Sequence, residues 1–154
     1  MGNLIDSLVA LVDDFDLASV FPALDTVVGW VVFLARICIL AAPVVMLVLG
    51  LRYRFMPPAE ANHNAGYRFF FGMGSDAAWQ YTQRLAGIIW TLLGGGLVAI
   101  MLILSLFLGG MNPMTMASTV LWCVGIQLVL IAGSCIAINV VVSKKFDKNG
   151  NTRK

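Results

Sequence analysis

The chain has 154 residues, 60% of them apolar and only 12% charged, with a formal net charge of +2. A soluble domain carries roughly a quarter charged residues, so much of this surface must face lipid or a partner. A chain so close to neutral has no field to gather nucleic acid, and none is expected as a partner. Cys38, Cys123 and Cys135 all fall inside apolar runs, which argues against a disulfide framework. No Cys or His stands at metal-ligand spacing, and His63 reads as a solvated loop residue.

Residues 1–24 begin "MGNLIDSLVALVDDFD". They lack the basic n-region of a signal peptide, and Asp6 stands where a myristoylation pattern needs Ser or Thr. At about 100° per residue, Leu4, Ile5, Leu8, Val9, Leu11, Val12 and Phe15 fall on one side, and Asp6, Ser7, Asp13 and Asp14 on the other. This predicts an acidic amphipathic helix. With no base opposite its apolar side, it is expected to dock on the protein's own spans rather than on anionic lipid. The sharper alternative is an acidic lip for a cationic ligand.

The first run long enough to cross a bilayer is 27–51, interrupted by Arg36. An arginine at mid-bilayer costs about 2.5–3.5 kcal/mol on insertion scales, so it needs a partner or a task. Gln127, at similar depth in the third run, is expected to accept from it; a neighbouring chain or a ligand is the alternative. Pro43 in the same run leaves the carbonyl of Ile39 without its intrahelical donor and predicts a kink.

Pro57 and Pro58 end this helix and begin a loop over 52–84. Ser75 is a predicted N-cap with Asp76 in the first turn, and Trp79, Thr82, Gln83 and Ala86 share one side of the helix that follows. The loop is too rich in Phe, Tyr, Trp and Arg for a plain connector. It is expected to fold back on the membrane face, with Asn62, Tyr67, Arg68, Trp79 and Arg84 meeting through hydrogen bonds and stacking.

The second run, 85–108, contains Gly94, Gly95, Gly96 and Ala99, and the third, 120–142, contains Gly133 and Ala137. Small residues let helix backbones approach closely in lipid, so these stripes predict packing of spans two and three, with homo-oligomer contact as the alternative. A basic tail, 144–154, closes the chain. Lys and Arg crowd the central loop and the tail, while the segment before the first span carries only Asp. The positive-inside rule therefore puts the N-terminus outside and the loop and C-terminus inside. Trp30 and Trp122 mark the outer ends of spans, and Tyr53 and Trp90 the inner ends. The fold class is an all-α membrane protein: three transmembrane helices (domain 25–143) preceded by an amphipathic helix.

Asn62, Gly66-Tyr67-Arg68, Met73, Ser75, Trp79 and Arg84 to Gly87 together resemble the signature of the SdpI family of small bacterial membrane proteins. One span before the motif and two after it also match. Phe69 stands where that family usually has Thr, and Gln83 where it usually has Asn. The resemblance implies residence in the bacterial cytoplasmic membrane. It also implies an immunity protein, one that protects its producer from a secreted peptide toxin and sequesters a transcriptional repressor at the membrane. Arg36 and Gln127 would then serve the outer side, and the loop residues the inner side. An accessory subunit of a larger membrane complex and a small oligomeric transporter are the competing readings. No nucleophile–base pair and no phosphate-binding glycine loop is present, so neither an enzyme nor a cofactor is expected.

Overall fold

The computed structural model describes residues 17–59 and 66–153, the backbone alone over 17–25. Three helices make up most of it: α1 (Leu17–Phe55), α2 (Asp76–Phe107) and α3 (Pro113–Lys145), with no strand among the described residues. Three stretches are long and apolar enough to span a bilayer: Thr26–Phe55 of α1, Asp76–Gly110, which is α2 with the turn after it, and Pro113–Lys145, the whole of α3. Only 22%, 28% and 22% of their most apolar windows is buried, so most of that apolar surface is left for lipid. The predicted amphipathic helix falls largely on residues 1–16, outside the described residues. Its last turns, 17–24, run unbroken into α1.

The chain divides between Leu34 and Ala35 into two compact units. In the first, the described part is helix, and the exposed Trp30 meets Phe33 edge-on at 5.8 Å.

The second unit holds the bundle. Its α1 part and α2 run antiparallel along a seam set by glycines. A Cβ on Gly94 would come within 2.7 Å of the Leu47 backbone, one on Gly50 within 2.5 Å of Thr91, and one on Gly87 within 2.6 Å of Arg54. The steps 47, 50, 54 and 94, 91, 87 alternate three and four residues, the period that keeps one helix face on its neighbour. Span two therefore offers its small residues to span one, not to span three as its stripe predicted. A Cβ on Gly133, the expected partner, would meet nothing within 4 Å. Sequence spacing shows that a face is small, but the neighbour is chosen by tertiary packing.

The α2–α3 contact is built from larger groups. The buried cluster is Ala78, Ala86, Ile138, Val142 and Phe146, with Tyr67, Phe69, Phe71 and Tyr81 packed against it. The bulk of this core lies at one end of the bundle, where α2 begins and α3 ends. At the other end a 3-10 turn, Leu108–Gly110, reverses the chain. Asn112 then caps α3 by accepting from the Thr115 amide at 2.8 Å, and Pro113 fills the first helical position, where a missing N–H costs nothing.

The glycine seam makes a direct prediction. Gly94→Leu drives a side chain into the α1 backbone and should destabilise the protein by about 1–3 kcal/mol, the usual cost of overpacking. Gly133→Leu should leave stability unchanged. Thermal unfolding of both variants in the same detergent, followed by circular dichroism, checks the contrast.

Candidate functional site

Two polar constellations stand out, one in the loop head and one between the spans.

The head starts from the capped end of α2. Ser75 has extended backbone, and its hydroxyl oxygen accepts from the Ala78 amide at 3.2 Å, as the N-cap reading predicted. This fixes the first turns of α2, and Trp79, Thr82, Gln83 and Ala86 emerge together on its fully buried side. Thr82 returns its hydroxyl to the Ala78 carbonyl at 2.7 Å. Gln83 has its amide nitrogen donating to the Tyr67 carbonyl at 2.7 Å and its amide oxygen accepting from the Tyr67 N–H at 2.8 Å. One buried side chain thus satisfies both main-chain groups of Tyr67, as a neighbouring strand would. Trp79 donates its indole N–H to the Pro58 carbonyl at 2.9 Å, and Gln80 donates to the Pro58 and Ala59 carbonyls at 3.2 and 3.0 Å. Gly66 has a φ of 110°, and a Cβ there would strike the Trp79 ring at 2.7 Å, so only glycine fits on both counts.

Clamped by its backbone, Tyr67 sends its ring inward. It meets Trp90 edge-on at 5.5 Å. Its hydroxyl donates toward Asn139 Oδ1 at 2.8 Å and the Cys135 carbonyl at 3.2 Å, both on α3. Burial first, and then the neighbouring Cys135 thiol, push the Tyr67 phenol well above its ordinary value, with Asn139 opposing. The hydroxyl therefore stays protonated, and a donor, at any physiological pH. Trp90 packs on Tyr53 at 5.9 Å and donates to the Ser134 hydroxyl at 3.2 Å. Tyr53 and Trp90, read from the sequence as inner interfacial anchors, are half-buried partners of each other.

The tail belongs to this head, which the sequence reading did not foresee. After α3 the chain folds into a tight hairpin: Phe146 pairs with Thr152, and the Asp147 carboxylate accepts from the Asn149 and Asn151 amides at 2.9 and 2.8 Å. Those amide bonds, Asn151's first, hold the Asp147 carboxyl below its usual pKa. Gly150 sits at φ 76°, and its carbonyl accepts from the Ser75 hydroxyl at 2.8 Å. Lys145 lies over the Tyr81 ring at 3.8 Å, and Phe146 packs on Tyr81 at 5.6 Å. The signal was present in "DKNGN", an Asp-led turn ending in Asn-Gly, beside the basic residues that drew the reading of a plain tail.

Of the loop residues predicted to meet, Tyr67 and Trp79 are brought together through Gln83 and Gly66. Arg68 and Arg84 are exposed at the surface of the head. Asn62 lies outside the described residues, as does His63.

Between the spans, the predicted Arg36–Gln127 contact is replaced by two contacts to main chain. Gln127 is 1% exposed and donates at 2.9 Å to the Ile39 carbonyl, the group that Pro43 leaves free. Proline and glutamine on different helices thus answer one another. Gln127 Oε1 has no partner among the described residues. Arg36 instead donates through Nε to the Ser105 carbonyl at 3.2 Å. Ser105 lies in the last turn of α2, where carbonyls lack intrahelical donors and the helix end carries partial negative charge. The guanidinium also approaches Gly109 in the turn to α3. Irregular backbone avoids the hydrocarbon, so Arg36 sits near the level of a turn rather than at mid-bilayer.

A model of the SdpI/YfhL protein family matches residues 59–143, more than half of the chain. The chain belongs to that family. No curated protein and no solved structure matched it. The match spans the head from just after Pro58, then α2 and nearly all of α3, so the Tyr67–Gln83–Trp79 cluster lies inside the family region and Pro43 outside it. Gln83, whose side chain clamps Tyr67, lies inside the matched region of this SdpI-family protein.

The Gln127–Ile39 bond can be tested by a double-mutant cycle. Gln127→Leu should cost about 1 kcal/mol, because the Ile39 carbonyl loses its donor in lipid. In a Pro43→Ala background the same change should cost much less, since the backbone amide restored at position 43 can serve Ile39 itself. Equal costs in both backgrounds, measured by unfolding in detergent, would count against the pairing.

Proposed function

We propose that this SdpI-family protein is an immunity and signalling protein of the bacterial cytoplasmic membrane that acts by binding rather than by catalysis. The observation that carries the reading is the division of labour in the head. Tyr67, Trp79 and Gln83 hold main chain in the interior of the head, and Arg68 and Arg84 are exposed on its surface. Such a head is a pre-shaped docking face with basic side chains, suited to an acidic surface on a regulator. Arg36 near the opposite turn, and Gln127 on the Ile39 carbonyl, would couple a toxin sensed on the other side to the bundle.

The orientation proposed is N-terminus outside and head inside. In support, the Ser75–Gly150 bond gathers loop and tail at one end of the bundle. Arg52 and Arg54 close α1 there, and Lys144 and Lys145 close α3. Basic segments of this kind are retained in the cytoplasm.

A second reading, an accessory subunit of a larger membrane complex, draws on a different observation. Gly125 and Gly133 of α3 face open space, and the exposed Trp122 and Val129 share that helix. A stoichiometric membrane partner retained through purification in mild detergent would favour it.

Deleting the gene and challenging the strain with secreted peptide toxins of related strains tests the first reading. Wild-type protein should restore protection. Arg68→Ala should insert normally yet protect at least tenfold less well, measured as the toxin dose for half survival. Full protection by that variant would reduce the head to a connector. In a cysteine-free background, Lys148→Cys should react with an impermeant maleimide only after the cells are opened; labelling in intact cells would reverse the orientation.

A further inference from the structure

We propose that the cleft between α1 and α3 below Pro43 is a binding site for an anionic phospholipid, with one acyl chain in the cleft and the headgroup phosphate on Arg52. The cavity measures about 380 Å³ and is lined by α1 from Ala41 to Leu49, by Trp90 of α2 and by Ile131 of α3. That volume is in the range of small-ligand sites. Its walls offer no hydrogen bond. The Trp90 indole N–H, the one polar group of these side chains, is taken by the Ser134 hydroxyl. Whatever fills the cleft must be apolar there, because a polar group would be stranded. The cleft lies within the apolar stretches of three membrane-crossing helices, so lipid tails are the apolar material at hand.

The charge at its end selects among lipids. Ala42, Val45 and Leu49 follow one another at helical spacing along one side of α1, and Arg52 is the next residue on that side. It is exposed, lies in the last turn of α1 and follows directly on the apolar run that ends at Leu51. An arginine there stands at headgroup level, about one turn beyond the cleft, where a guanidinium makes paired hydrogen bonds to a phosphate. Arg54, two residues on, lies on another side of the helix, its main chain against Gly87 of α2 and its guanidinium over the Phe55 ring at 5.5 Å, which leaves Arg52 as the α1 cation of this face. A neutral or zwitterionic lipid would fill the cleft equally well; net negative charge adds the attraction to Arg52, worth about fivefold in affinity for one basic residue near a membrane surface. The site is independent of the immunity reading and stands or falls separately from it.

Trp90 reports on the cleft directly. In a Trp30→Phe, Trp122→Phe background, the other remaining tryptophan is Trp79, which is fully buried in the head and out of reach of lipid. The full chain in a mild neutral detergent is titrated with phosphatidylglycerol or phosphatidylcholine carrying brominated acyl chains, and tryptophan quenching is followed. Phosphatidylglycerol should reach half-quenching at about fivefold lower mole fraction. Arg52→Gln, a change at an exposed position, should bring the two curves together. Ala42→Phe, which fills the cleft, should weaken quenching by both lipids with helical content unchanged. Coincident curves in the parent protein, or a preference that survives Arg52→Gln, would overturn the selection of an anionic lipid by Arg52. Quenching unaffected by Ala42→Phe would place the lipid elsewhere and overturn the site.

Discussion

A main-chain carbonyl or amide in hydrocarbon has no water to fall back on, and much of this structure follows from that constraint. Side chains are used chiefly to serve backbone. Gln127 covers the carbonyl opened by Pro43, and Arg36 covers one near the end of α2. Gln83 serves both groups of Tyr67, and Trp79 and Gln80 hold the stretch after α1. The polar residues that stand out in an apolar sequence are therefore mostly structural pins, reaching from one helix to main chain of another helix or of the loop.

This view changes the meaning of the family motif. Its most distinctive members, Tyr67 and Trp79, do not converge on an empty site; they fix the loop to α2 and α3. The exposed arginines are carried on a head whose main chain those pins hold in place. Under the proposed function, specificity for a partner would lie in those surface charges, with the aromatic cluster setting their positions.

Much of the fold was legible in the sequence because it depends on local rules. Apolar runs of more than about 20 residues fix the spans. Ser75 reads as a cap three residues before the amide it accepts from, and spacing alone groups Trp79, Thr82, Gln83 and Ala86 on one buried side. Pro43 announces an unserved Ile39 carbonyl. What was not legible is which residue on another helix answers each local need. Similar depth in the membrane pairs Gln127 with Arg36 on paper, but Arg36 has a helix end close by and Gln127 has the carbonyl. The glycines of span two likewise revealed a thin face without revealing that Leu47, Gly50 and Arg54 would lie on it. The tail differs for another reason: its net charge suggests a plain basic segment, while its turn residues build the hairpin.

The hydroxyl of Ser75 on the Gly150 carbonyl has a mechanical corollary. With the turn at Leu108–Gly110, it closes α2 and α3 into a loop fastened at both ends. By contrast, the part of α1 from Ala35 onward is joined to that loop by its glycine seam, by single contacts such as Arg36 and Gln127, and by the Pro58 carbonyl under Trp79. The contacts that hold this part of α1 are thus separate pins on single carbonyls, those of Ser105, Ile39 and Pro58, whereas α2 and α3 are fastened to each other at both ends.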